Sequence, residues 1–263
     1  RVDAGFNKMI PLQHEYMQPF TYYQKVFGGA NRVLVAIMQK QGDIYNPAFL
    51  NTLKQVTDEV FFIPGVDRPT VTSLFTPNVR FIEVVEEGFA GGNVIPAGYK
   101  GTPEELETVR KNVLKSGVVG RLVSNDFRGA LVRAELLELD PSSGKRLDYQ
   151  AVAKQLEGIR AKYQREGLDV HIIGFSKAVG DITDGARGVL VFFLLAFIIT
   201  TVLLYFYSGS RKLTLLALAC ALMPVVWLLG ILPLIGYGID PMSILVPFLI
   251  FSIGVSHAVQ MTN

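Results

Sequence analysis

Ile250 to Asn263 reads IFSIGVSHAVQMTN and continues the apolar stretch PMSILVPFL (Pro241 to Leu249). Its last turns collect the only polar side chains for some distance. Ser252, Ser256, Gln260 and Asn263 are spaced by four, four and three residues, so on an α-helix they form one polar stripe. His257 stands beside that stripe, next to Ser256 and three residues before Gln260. Polar groups in hydrocarbon cost free energy unless they are paired, so the stripe should face other helices or water. Counted from Pro241, His257 lies about 16 residues, or roughly 24 Å, along the helix. An imidazole's ordinary pKa of about 6.5 suits reversible protonation near neutral pH. Three readings stay open: a proton relay through His257 with Ser256 and Gln260 in support, a neutral imidazole bonded between helices, or an early helix end wetted by interfacial water.

The other candidates for chemistry are weaker. His14 and His171 have no carboxylate or thiol at ligand spacing, which points to surface or packing roles. FAGGNVIPAG (Phe89 to Gly98) is glycine-rich but does not join a strand to a helix in a dinucleotide unit, so it reads as a turn or mobile loop. SSGKR (Ser142 to Arg146) lacks the first glycine of a phosphate loop, with Leu139 in its place. One cysteine, Cys220, excludes a disulfide framework and a thiolate metal site. No nucleophile–base pair is visible, so the chain does not read as an enzyme, and no cofactor is implied.

The elements that carry these residues divide the chain. From Gly188 onward the only formal charges are Arg211, Lys212 and Asp240, a net of +1; the total of +2 leaves +1 for residues 1–187. That first part is a mixed-charge soluble domain with nothing to favour nucleic acid. No apolar leader opens the chain. Gly188 to Ser210 is uncharged and as a helix would reach roughly 35 Å, enough for a hydrocarbon core of about 30 Å. Residues 213–239 and 241–263 read as second and third spans, with Pro224, Pro233 and Pro247 as kink sites, Trp227 as packing, and Tyr205 and Tyr207 as interfacial anchors. The Arg211–Lys212 turn should lie inside and the Asp240 turn outside, which puts the soluble domain outside as well.

Residues 1–187 alternate strand and helix. RVLVAIM (Arg32 to Met38), Thr70 to Phe75 and Val79 to Gly88 with a break at TPN between them, Gly129 to Leu139 and Asp169 to Phe175 read as extended. Pro47 to Ile63, the segment capped by Thr102 with Pro103 and Glu105, and the segment capped by Asp148 read as helices. With Val85 to Asp126 set aside as an insertion, the order is β-α-β-β-α-β, an α+β ferredoxin-like (split βαβ) domain.

GRLVSNDFRGALVRAELLE, IIGFSKAVGDITDGARGV and DPMSILVPFLIFSIGVSHAVQ resemble the resistance-nodulation-division (RND) superfamily, in the hydrophobe/amphiphile-efflux branch often labelled MMPL. That branch is similar in plan to Patched and to hopanoid or mycolate-lipid exporters. The resemblance implies a periplasmic porter domain and helices two to four of the first half of a bacterial inner-membrane exporter. The first helix, two more helices and the second half would lie elsewhere, and the expected partners are the bilayer, the substrate, that second half and a further copy of the chain. It implies export of a hydrophobic or amphiphilic substrate driven by the proton gradient. The family's fourth helix carries aspartates where this chain has Ser256 and His257, and no carboxylate follows. A non-pumping lipid-binding or scaffold protein of the same ancestry is the alternative.

Overall fold

The computed structural model describes residues 14–19, 22–23, 31–86, 88–140, 144–145, 147–235 and 245–262. The chain forms two compact units, Tyr23–Gly180 and a second made of Arg1–Tyr22 with Asp181–Asn263. The phosphate-loop candidate falls mostly outside the described residues, as do Asn263 and the Asp240 turn.

The first unit is built on β1 (Arg32–Gln39), β2 (Val66–Thr72), β5 (Gly129–Leu136) and β6 (Leu168–Gly174), which form one sheet in the order β2-β5-β1-β6. Every pairing in it is antiparallel. Strand alternation explains the face that is covered: Val33, Val35 and Ile37 of β1 are fully buried while Leu34, Ala36 and Met38 between them are only half-buried. Helix α1 (Pro47–Phe62) crosses from β1 to β2, and α3 (Tyr149–Tyr163) crosses from β5 to β6. Both lie on the buried face, with Leu50, Leu53, Val56 and Val60 of α1 and Val152, Leu156 and Ile159 of α3 in one core. Local chemistry starts each helix. The Asn46 side chain accepts the Phe49 amide at 2.8 Å, and Asp148 accepts those of Gln150 and Ala151 at 3.0 and 3.2 Å.

Between β2 and β5 the chain forms β3 (Arg80–Val85), β4 (Gly88–Asn93) and α2 (Pro103–Lys115). The sequence read Val79 to Gly88 as extended after a break at TPN. Among the described residues β3 lies apart from the main sheet and pairs only with β4, as a two-stranded ribbon. The glycine-rich run expected to be a turn or loop supplies β4. Glycine suits it there, because a Cβ on Gly91 would come within 2.7 Å of the Phe81 carbonyl oxygen. Helix α2 has the capping box that its sequence announces: Thr102 Oγ1 accepts the Glu105 amide at 3.3 Å, and Glu105 Oε2 accepts the Thr102 amide at 3.0 Å.

Gly174 ends β6 at φ 153°, where a Cβ would lie 2.5 Å from the Arg32 carbonyl oxygen. Helix α4 (Phe175–Ser208) begins at the next residue, well before the uncharged stretch. Its first turns dock on α3: Phe175 meets Tyr149 edge-on at 5.6 Å, and Lys177 Nζ lies 2.8 Å from Glu157 Oε1.

In the second unit, α4 continues and is followed by α5 (Arg211–Leu234) and α6 (Val246–Thr262). Ser208 Oγ lies 2.9 Å from Thr214 Oγ1 across the turn from α4 to α5, and Thr214 also bonds the Ser210 carbonyl at 3.0 Å. Val191–Ser208 and Arg211–Leu232 are long and apolar enough to cross a membrane, while Val246–Met261 is shorter. Only 6 % and 22 % of the two longer segments are buried. Core helices of a soluble protein would be mostly enclosed, so this much open apolar surface indicates membrane association. Trp227, expected to pack, is 64 % exposed within the chain.

Candidate functional site

Helix α6 presents two different faces, and glycine makes one of them. At Gly254 the helix approaches α5 so closely that a Cβ would sit 3.0 Å from the Ala221 Cα and 3.3 Å from its Cβ and carbonyl oxygen. Ala221 is fully buried and Phe251 is 2 % exposed beside it. Phe251 also meets two rings of α4, Phe193 at 5.4 Å and Phe197 at 5.6 Å. Val255, Ala258 and Val259 complete the packed side of α6. The packed residues therefore repeat at three and four positions, the spacing of one helical face.

The polar residues fall on the opposite side. Ser252, Ser256, His257 and Gln260 are all exposed within the chain. At about 100° per residue, Ser252, Ser256 and Gln260 form one line, and His257 lies a quarter-turn from Ser256, farther round the open side. Their side chains make no hydrogen bond among the described residues. The chain thus gathers three of the stripe residues and His257 on one open face, and none of the described residues supplies a group that satisfies them. Asn263, the fifth candidate, lies outside the described residues.

That arrangement has a definite chemical capacity. A serine hydroxyl donates and accepts, a glutamine amide does both, and an imidazole exchanges a proton at either ring nitrogen. Such a row can pass protons or accept hydrogen bonds from a neighbouring helix. Two other histidines show no such setting: His171 is exposed on β6 opposite Ala36, and His14 stacks on Tyr16 at 5.3 Å. Among the described residues no group of three or more His, Cys, Asp or Glu could hold a metal ion.

The first unit adds a feature that sequence reasoning missed. A cleft of about 330 Å³ opens on the uncovered face of the sheet, walled by Ala36, Met38, Leu122, Val123, Asn125 and Leu131. The adjoining Phe127 holds φ at 55°, a conformation that side chains rarely adopt. Its backbone is nonetheless satisfied, bonding Ser124 and Ile44 at 2.9 and 2.8 Å. Arg128 ties the same loop to β1 by donating to the Gln39 and Lys40 carbonyls. The signal in sequence was only the phrase SNDFRG, whose polar residues read equally well as a plain turn.

No family model matches the chain, and a search of curated proteins gives no significant match.

Proposed function

We propose that this protein takes part in proton-driven export of a hydrophobic or amphiphilic, lipid-like molecule across a bacterial inner membrane. The observation that carries the reading is the open face of α6, where an ionisable side chain and three neutral polar ones lie on an apolar helix. Intramembrane ionisable groups are costly and mark ion or substrate paths. In this reading α4, α5 and α6 all span the bilayer, and the Arg211–Lys212 turn faces the cytoplasm. The strand order β2-β5-β1-β6 with α1 and α3 on one face supports a ferredoxin-like porter domain. That domain sits in the periplasm and receives substrate, in keeping with the RND-like phrases of the sequence.

His257 is the residue that binds and releases the proton, and Ser256 and Gln260 orient it. Binding of a proton must favour one helix arrangement over another for the gradient to drive transport. Ser256 and His257 bind a helix outside this chain, which supplies their hydrogen-bond partners. The protein reconstituted into vesicles should move an amphiphilic fluorescent substrate when a pH gradient is imposed. His257→Ala should reduce that movement to the level of empty vesicles, and His257→Ala with wild-type rates would remove His257 from the mechanism.

A non-pumping lipid-binding role is the second reading. It is favoured by the absence of any Asp or Glu from Pro241 to Asn263. Substrate binding that is unchanged by a gradient in the wild-type protein would support it over export.

A further inference from the structure

The β3–β4 ribbon has two faces with opposite fates. Glu83 and Phe81 turn towards α2, where Lys115 pairs with Glu83 and stands 5.9 Å from the Phe81 ring centre. The alternate residues turn away: Ile82, Val84 and Phe89 are 70 %, 80 % and 82 % exposed. Val84 lies opposite Phe89 in the ribbon, so these side chains make one apolar patch. Arg80 and Glu86 flank it, both exposed and neither in an ion pair among the described residues.

The hydrogen-bond phase of the ribbon settles which amides are free. The Val94 amide donates to the Val79 carbonyl at 3.4 Å, so Val79 and Val94 are a bonded pair. Bonded and non-bonded pairs alternate along an antiparallel ladder, hence Phe81, Glu83 and Val85 bond inward to β4. Arg80, Ile82 and Val84 therefore aim their amides and carbonyls outward, along an edge to which no strand is paired among the described residues. A free edge of this kind is a template for another strand.

We infer that β3 pairs antiparallel with β3 of a second copy of this chain, about a two-fold axis at Glu83. That register puts Ile82 opposite Val84 of the second copy and Arg80 opposite Glu86 of the second copy, on both sides of the axis. The outward-facing strand residues are Arg80, Ile82 and Val84, and the register pairs Ile82 with Val84, so their free amides and carbonyls meet, while Glu86, in the turn after β3, contributes only its side chain. The apolar patches of the two ribbons become one surface, and the two unpaired charges neutralise each other. Glu83 meets its own copy at the axis, a like-charge contact that costs free energy by itself. Lys115, already paired with Glu83 in each copy, offsets that repulsion. A pair of short strands is a small interface, so the association is weak and concentration-dependent.

The test is disulfide trapping in the whole chain with Cys220→Ala, in native membranes under mild oxidation. Residues facing each other in a non-bonded pair lie about 4.5 Å apart at Cα, within disulfide reach. Glu83→Cys should give a cross-linked dimer, whereas Ile82→Cys and Val84→Cys alone should give far less. In the Glu83→Cys background, Arg80→Glu and Glu86→Arg should each cut the yield about fivefold or more, and the two together should restore it. Cross-linking strongest at Ile82 or Val84, no cross-link at any of the three, or a double charge swap that fails to recover, would each overturn the proposal.

Discussion

Gly254 and His257 lie within one turn of α6 and answer to opposite demands. Gly254 exists for contact, because α5 leaves no room for a side chain there. Gly254→Leu should force the two helices apart and lower the thermal stability of the detergent-solubilised protein by about 1–3 kcal/mol, the usual effect of overpacking. A melting temperature equal to wild type would mean that α5 and α6 do not meet at this point. His257 faces the other way, so its substitution should abolish transport without loosening the contact between α5 and α6. The spacing of Ser252, Ser256 and Gln260 was legible from sequence, since a helix fixes which residues share a line. The direction of that line was not, because it depends on which side Gly254 and Phe251 choose for packing. Trp227 shows the same limit: it is exposed within this chain, and an apolar ring on such a helix does not declare whether protein or lipid will cover it.

Elements with their own start signals were the readable ones. Helix α2 begins where Thr102, Pro103 and Glu105 say it must, and Asp148 does the same for α3. The amides of Thr102 and Lys100 hold the Glu105 carboxyl below the usual carboxylate range. A depressed folded value means that the stabilising contribution is present above the unfolded pKa, about 4.3 for Glu, and is lost as pH falls through the folded value. Glu105→Gln should therefore lower the unfolding temperature at neutral pH, with the gap to wild type closing in acid. Thr102→Ala should cost about 1 kcal/mol in the same measurement. If the Glu105→Gln gap persists at low pH, the cap rests on something other than charge. The β3–β4 ribbon was not legible. Glycine-rich strands carry little β-propensity, and only the pairing partner β3 makes a strand of Gly88 to Asn93.

Across the whole molecule, the open apolar surface of α4 and α5 governs everything else. Phe192, Leu195, Ile199, Leu203 and Phe206 on α4 are each more than half exposed. Water does not tolerate such a surface at this length, so the chain should stay with membranes through high-salt and alkaline washing and leave them only in detergent. The composition split at residue 188 made this legible at once, since nearly all charge lies before it. What composition alone did not reveal is that α4 starts within the first unit, at Phe175. The helix runs on through GDITDGARG although its glycines are poor helix formers. The most direct test of the account is whether the first unit and the turn that follows α4 lie on opposite sides of the bilayer. Single cysteines at Asn125 and Ser210, in a chain with Cys220→Ala, can be probed with a membrane-impermeant maleimide on spheroplasts. Asn125→Cys should label at once and Ser210→Cys only after permeabilisation; labelling of both from the same side, or the reverse order, would contradict the account.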